Sequence, residues 1–192
     1  MCLYPLGLNG RKSNASFLTS LPYFHPHFLS LGSTHRLWTW AGHKSYEVAK
    51  ARIQLLFLAS QYPCGSRTKH WSPENSLGLC TLQTYWDNHV EESPEHVLLH
   101  CPAYTSTREN MVSLCRSLAN PLAVSTVTEI LESNSSQKLM QLLLGCSALP
   151  EVILCVQNSG ENIYCDLFYV SRNWCFAIHR ERYKRLDKWN FR

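Results

Sequence analysis

Charged residues are scarce in this sequence, and aspartate is the scarcest of them. Only 17% of the 192 residues are charged, and the three aspartates, Asp87, Asp166 and Asp187, are far apart. Two-metal nucleotidyl transfer needs clustered carboxylates to hold Mg²⁺. The sequence also lacks a Gly-x-Ser-x-Gly elbow, a Walker loop and a His-Glu-x-x-His helix. We therefore expect neither catalytic activity nor a small-molecule substrate.

Long apolar runs are missing as well. The nearest candidate, residues 139–156, is interrupted by Gln141, Pro150 and Glu151, whereas a membrane-spanning helix needs roughly 18 apolar residues in a row. The first residues lack the basic start and apolar run of a signal peptide. With 45% hydrophobic residues the chain can still bury a core. We expect a soluble protein that does not enter a membrane.

Nine cysteines raise the question of a disulfide framework. Their number is odd, and the later ones fall within apolar helical patterns, which is not typical of a small secreted protein. A reducing intracellular compartment, either cytoplasm or nucleus, is therefore expected.

Glycine and proline divide the chain into two parts. Residues 1–42 contain many of both and show no sustained period, which predicts a poorly ordered segment. Residues 43–192 form the predicted helical domain. Its first helix runs from Ser45 towards Pro63, because apolar residues recur there at three- and four-residue spacing. Further helix starts are predicted at Ser93, Ser106, Thr126 and Ser135, where a side-chain oxygen can accept from a free amide.

The last segment is predicted to be the longest helix. Residues 161–192 contain no glycine or proline, and the apolar stripe is Ile163, Leu167, Val170, Trp174 and Ile178. Aromatic neighbours widen this stripe, which favours packing within a bundle over a solvated single helix. The predicted fold class is mainly α: a small helical bundle with a loop-held Cys/His element and a long C-terminal helix.

The Cys/His element, residues 78–104, has the composition of a zinc site. A tetrahedral zinc site takes four Cys or His ligands, usually as two close pairs. His96 and Cys101 have the spacing of one pair, and Cys80 begins the other. Tyr85 stands where a second thiolate is expected, and its oxygen is a harder donor that suits zinc less well. The element is a candidate Zn²⁺ site that lacks one ligand of the usual set.

Several residues are alternatives for the fourth ligand. His89, nine residues after Cys80, is chemically a better replacement than Tyr85. Cys64 and His70 are further candidates that only the fold could bring in. An empty site is the competing interpretation, because buried cysteine often behaves as a small hydrophobe.

Positive charge is concentrated at the C-terminal end of the sequence. Residues 179–192 contain six Lys or Arg and two acidic residues, so this segment carries the whole formal excess of +4. Cations beside aromatic rings suit phosphates and bases, although cations at a helix end also complement its dipole. The candidate contacts to RNA or DNA are Arg180, Arg182, Lys184, Arg185, Lys188 and Trp189.

A helix followed by a Cys/His element that ends His-x4-Cys-Pro-x-Tyr, here residues 96–104, is the most specific pattern in the sequence. It resembles the C-terminal region of non-LTR (LINE-type) retrotransposon reverse transcriptases. The resemblance covers roughly residues 44–192 and is carried by residues 52–62, 70–72, 78–80, 95–104, Arg108 and 174–182. It implies that Cys80 is the first ligand, His96 the third and Cys101 the fourth, with nucleic acid as partner.

The Tyr/Phe-x-Asp-Asp motif of the polymerase itself does not occur in this sequence. The resemblance therefore implies a non-catalytic fragment similar to the nucleic-acid-binding C-terminal region of such a polymerase. The alternative is a metal-free helical interaction domain, or an inert one, translated from a decayed element.

Overall fold

The computed structural model describes residues 41–68, 78–83, 90–117, 121–145, 149–159 and 162–190. This part of the chain is mainly helical, and it includes the long C-terminal helix that the sequence predicts. The α-helices are α1 (Ser45–Leu58), α2 (Gly65–Thr68), α3 (Thr105–Arg116), α4 (Pro121–Glu132), α5 (Ser136–Gly145), α6 (Pro150–Ser159) and α7 (Asn162–Asn190). None of the described helices is both long and apolar enough to cross a membrane.

The long helix α7 is the centre of the bundle. It packs against α1, α3, α5 and α6. All five residues of its predicted apolar stripe are buried: Ile163, Leu167, Val170, Trp174 and Ile178. The three- and four-residue steps place these side chains on one side of the helix, and that side is the core face of α7. The predicted helical bundle is therefore confirmed.

Helix α1 joins α7 through polar as well as apolar contacts. Gln54 is buried, and its Nε2 donates to Ser171 Oγ at 2.7 Å. One turn earlier, Lys50 Nζ donates to Asn173 Oδ1 at 2.8 Å. Buried hydrogen bonds of this kind fix the register of two helices, because a shift leaves both partners unsatisfied.

Three helix predictions need correction. Helix α4 begins at Pro121, before the predicted start at Thr126, because a proline at the first helical position needs no amide partner. Helix α6 starts at Pro150, which the sequence pattern treats as a break, for the same reason. Helix α3 begins at Thr105, directly after a 3-10 turn and without a side-chain cap, so the predicted capping by Ser106 is wrong.

The predicted poorly ordered segment, residues 1–42, lies outside the described residues except for its last two. Of these, Ala41 is buried in the core. Gly42 has a φ of +59°, a conformation that glycine adopts without strain.

Replacing Ile178 by alanine should lower the free energy of unfolding by about 2–5 kcal/mol, because the side chain is fully buried on α7. Leu154 on α6 is 59% exposed, so Leu154→Ala should change stability by no more than about 0.5 kcal/mol. Urea denaturation of the two variants and the wild type measures both values. Similar small effects of the two substitutions would contradict the central position of α7.

Candidate metal centre

Cys80, His96 and Cys101 converge in the protein interior. All three are buried, and one ligand atom from each lies within 4.8 Å of the other two. The Sγ atoms of Cys80 and Cys101 are 3.8 Å apart. Within the part of the chain that the structure describes, this is the one group of His, Cys, Asp and Glu with such spacing. The fold thus brings together three of the four predicted ligands.

Cys80 is positioned by a short antiparallel backbone pairing. Its amide donates to the Val90 carbonyl at 2.9 Å, and the Glu92 amide donates to the Gly78 carbonyl at 2.8 Å. Gly78 has a φ of +67°, which a residue with a side chain rarely adopts. The pairing holds Cys80 beside the segment that leads into His96.

His96 and Cys101 are brought to one side by a π-helical turn, residues His96–His100. The turn starts as predicted, because Ser93 Oγ accepts from the His96 amide at 3.0 Å. It closes when the Cys101 amide donates to the His96 carbonyl at 2.7 Å. In an α-helix, residues five apart lie about 140° apart around the axis. The wider turn reduces this offset, so both side chains reach the same site.

Pro102 ends this turn and sets the conformation of Cys101. A residue that precedes proline is disfavoured in the α-helical region. Cys101 accordingly has φ −59° and ψ 118°, outside the helical range. The chain then enters a 3-10 turn, Pro102–Tyr104. The proline after Cys101 therefore determines the backbone conformation from which its side chain extends.

Each cysteine sulfur accepts a hydrogen bond from the backbone amide two residues later. The donor to Cys80 is Leu82, and the donor to Cys101 is Ala103. Both amides lie in short 3-10 turns that follow their cysteines. Hydrogen bonds from amides stabilise sulfur in its thiolate form, which is the form that binds metals.

The hydrogen bond between the two thiols shifts their pKa values in opposite directions. The hydrogen bond from Cys80, aided by the Ala103 amide, lowers the pKa of Cys101 to about 7. The same hydrogen bond and the burial of its side chain raise the pKa of Cys80. A cation that binds both sulfurs displaces the remaining proton, because the thiolate is the metal ligand.

The geometry fits a tetrahedral zinc ion. With Zn–S bonds of about 2.3 Å, two sulfurs of a tetrahedral site lie about 3.8 Å apart, and the two Sγ atoms here are separated by 3.8 Å. The corresponding S···N edge is about 3.6 Å when the Zn–N bond is about 2.05 Å. The imidazole nitrogen, within 4.8 Å of both sulfurs, reaches that distance after a shift of about 1.2 Å or less.

The imidazole of His96 provides a second, independent indication. Its Nε2 is buried and has no hydrogen-bond partner among the described residues. Buried polar atoms without partners are rare, and each costs about 1–3 kcal/mol. Coordination of a cation through this nitrogen would remove this cost.

A buried ion pair adjoins the site. The Glu92 carboxylate binds Arg182 of α7 through Nε at 3.2 Å and Nη2 at 2.9 Å. It also accepts from the Gly65 amide at 2.6 Å. Glu92 is therefore held between α2, α7 and the backbone pairing of Cys80. Sequence reasoning misses Glu92, because a glutamate next to Glu91 has the pattern of a solvated acidic pair.

The predicted nucleic-acid contacts on α7 differ in their surroundings. Arg180 and Lys184 are exposed. Arg185 is half-buried and donates to Glu181 Oε1 at 2.9 Å. Arg182 is buried against Glu92, so its guanidinium does not lie on the surface with the others. We correct its expected role from a surface contact to a structural one.

The remaining candidates are described in part or not at all. His89 and His70 lie outside the described residues, as do the side chains of Lys188 and Trp189. Cys64 is a free thiol that contacts Ser66 Oγ at 3.2 Å, and it does not belong to the metal cluster.

Comparisons with known proteins found no match to this chain. No family model matches the chain, and no curated protein or solved structure matches it. The likeness to retrotransposon reverse transcriptases stays a prediction from the residues of the Cys/His element. The interpretation of the site depends on its geometry.

Removal of the Arg182 guanidinium should be strongly destabilising. Arg182→Ala leaves the Glu92 carboxylate buried without its cation, and we expect a loss of about 3–5 kcal/mol in the free energy of unfolding. Arg185→Ala is the matched control, since it removes a partly exposed ion pair with Glu181 on the same helix that contributes about 0.5 kcal/mol. Urea denaturation measures both. Equal effects of the two substitutions would contradict a structural role for Arg182.

Proposed function

We propose that this chain is a non-catalytic, zinc-stabilised helical module that binds RNA or DNA. Its role would resemble that of the C-terminal region of a retrotransposon reverse transcriptase. The observation that carries the proposal is the convergence of Cys80, His96 and Cys101 in the core. The sequence offers three isolated aspartates and no Tyr/Phe-x-Asp-Asp motif for nucleotidyl transfer, which supports a non-catalytic role.

The donor set favours zinc over other common ions. Two thiolates and an imidazole are soft or intermediate ligands, whereas Mg²⁺ and Ca²⁺ require several oxygen ligands. His89, the proposed fourth ligand, directly precedes Val90, whose carbonyl is bonded to the Cys80 amide. A closed site of four protein ligands is typical of structural zinc, which contributes to folding stability.

The metal centre supports the proposed nucleic-acid surface through α7. Cys80 pairs with the strand-like segment that contains Glu92, and Glu92 binds Arg182 on α7. The same helix presents Arg180 and Lys184 to solvent. Exposed cations of this kind attract the phosphate backbone. Zinc would therefore fix the helix on which the proposed contacts lie.

A metal-free helical domain is the second candidate, and one observation favours it. The hydrogen bond between Cys80 and Cys101 and their burial allow both thiols to stay in the core without a metal. The unpartnered Nε2 of His96 opposes this alternative. Metal analysis separates the two.

Protein purified under reducing conditions should contain one zinc ion per chain. Cys101→Ser should reduce the zinc content, lower the melting temperature and weaken the thiolate-to-metal absorption of the cobalt-substituted protein, because one of three buried ligands is altered. Cys165→Ser is the control, since Cys165 is an exposed free thiol outside the cluster. A zinc-free protein whose melting temperature is unaffected by chelator would leave the metal-free domain as the better description.

Affinity for single-stranded RNA should fall as salt concentration rises. Two phosphate contacts, from Arg180 and Lys184, imply a loss of about sevenfold or more between 50 and 200 mM salt. Filter binding across that range measures the slope. The double variant Arg180→Gln/Lys184→Gln should reduce the magnitude of this slope, log K against log salt concentration, by about 1.4. Arg116→Gln, an exposed control at the end of α3, should leave it unchanged. Absence of binding at the lowest salt would remove nucleic acid from the proposal.

A further inference from the structure

The side of α7 opposite its core face carries aromatic residues, although the solvent side of a helix in a bundle is usually polar. Tyr169 and Tyr183 are 51% and 44% exposed. Phe176 is partly exposed and lies midway between them in sequence. Residues seven apart fall on nearly the same side of a helix, and fourteen residues span about 21 Å. These rings form a straight stripe along the outside of the bundle.

Neighbouring rings make the stripe continuous from Phe176 to Tyr183. Tyr46 of α1 is 52% exposed and meets Phe176 edge to face, with ring centroids 5.3 Å apart. The ring of His179 lies 6.2 Å from Phe176 and 4.6 Å from Tyr183. We call these five residues, Tyr46, Tyr169, Phe176, His179 and Tyr183, the aromatic row.

Cations accompany the aromatic row. The Arg172 guanidinium lies 5.8 Å from the centroid of the Tyr169 ring, and Lys50 Nζ lies 4.6 Å from that of Tyr46. Both cations also bind the carboxylate of Glu47. The distances are 2.9 Å from Arg172 Nη2 and 2.8 Å from Lys50 Nζ.

The other end of the row keeps its positive charge. Arg180 and Lys184 flank Tyr183 in sequence and are exposed on α7. Burial lowers the pKa of His179, so its ring is uncharged near neutral pH. Positive charge at this end therefore comes from the two exposed side chains.

We propose that the aromatic row binds single-stranded nucleic acid, with bases stacked on Tyr169 and Tyr183 and phosphates paired with Arg180 and Lys184. The inference rests on the proposed nucleic-acid function and specifies its ligand and its surface. Unpaired bases stack on exposed rings whatever their identity, and cations beside the rings hold the backbone. In a duplex the faces of the bases already stack on each other, so they cannot reach these rings.

A protein partner fits this surface less well. The fully buried centre of a protein interface is apolar and poor in charged residues. Along the outward side of α7, the side chains between the rings include Asn173 and the exposed Arg180. Arg172 also lies between them in sequence, but it is buried and paired with Glu47. A ring beside an exposed cation matches a base beside its phosphate.

Fluorescence anisotropy of the full chain with labelled oligouridine and oligothymidine of about 12 nucleotides tests the proposal. Tyr169→Ala and Tyr183→Ala should each weaken binding by at least about fivefold, because stacking on one ring contributes about 1–3 kcal/mol. Tyr183→Phe should bind like the wild type, since the ring is retained. Leu154→Ala, an exposed apolar residue on α6, is the matched control and should have no effect. Circular dichroism confirms that each variant is folded.

The outcomes separate this inference from the proposed function. Binding that depends on Arg180 and Lys184 but not on the tyrosines would overturn the inference and leave nucleic-acid binding in place. A labelled duplex of the same length that binds as tightly, with the same dependence on Tyr183, would also overturn it. No binding of either oligomer at low salt would end both proposals. Self-association in sedimentation that Tyr183→Ala abolishes, without oligomer binding, would assign the row to a protein contact.

Discussion

The arrangement of this molecule depends on the buried ion pair between Glu92 and Arg182. A buried carboxylate is costly unless its oxygens are bound, and the Glu92 carboxylate is bound by the Arg182 guanidinium and by the Gly65 amide. The backbone of Glu92 is fixed as well, since its amide donates to Gly78 and its carbonyl accepts from Ser66. These partners come from α2, α7 and the loop of the Cys/His element. Satisfying one charged group therefore fixes three parts of the chain relative to one another.

The same pair couples the metal centre to the long helix. Glu92 lies four residues before His96 and pairs with the backbone next to Cys80, so the position of its carboxylate restricts both ligands. A second connection lies two residues after His96, where Trp174 Nε1 donates to the Leu98 carbonyl of the π turn at 3.4 Å. The inward side of α7 thus supports the Cys/His element, while its outward side presents aromatic rings and cations. One rigid helix serves both surfaces.

Sequence reasoning succeeded where the physical cause is local. The absence of glycine and proline and the regular apolar steps of α7 are sufficient to predict a long helix. The spacing of Cys and His residues is sufficient to propose Cys80, His96 and Cys101 as one cluster, and the fold brings these three together. The π turn could not be predicted in this way. It depends on one hydrogen bond, from the Cys101 amide to the His96 carbonyl, that competes closely with the bond of an α-helical turn through the same residues. Arg182 carries a usable signal, since it follows Ile178 by four residues and so continues the buried stripe. Its partner, 90 residues away in sequence, could not be identified without the fold.

The departures from ordinary structure coincide at the Cys/His element. A π turn, an unpartnered imidazole nitrogen and a thiol with a lowered pKa occur together there, whereas α7 obeys every local rule along its core face. Natural proteins tend to violate such rules at functional sites. The hydrogen bond between the two cysteines satisfies the sulfurs but leaves His96 Nε2 without a partner. A cation bound through the two sulfurs and this nitrogen would satisfy all three groups together, and the π turn is what brings His96 and Cys101 to one side of the chain.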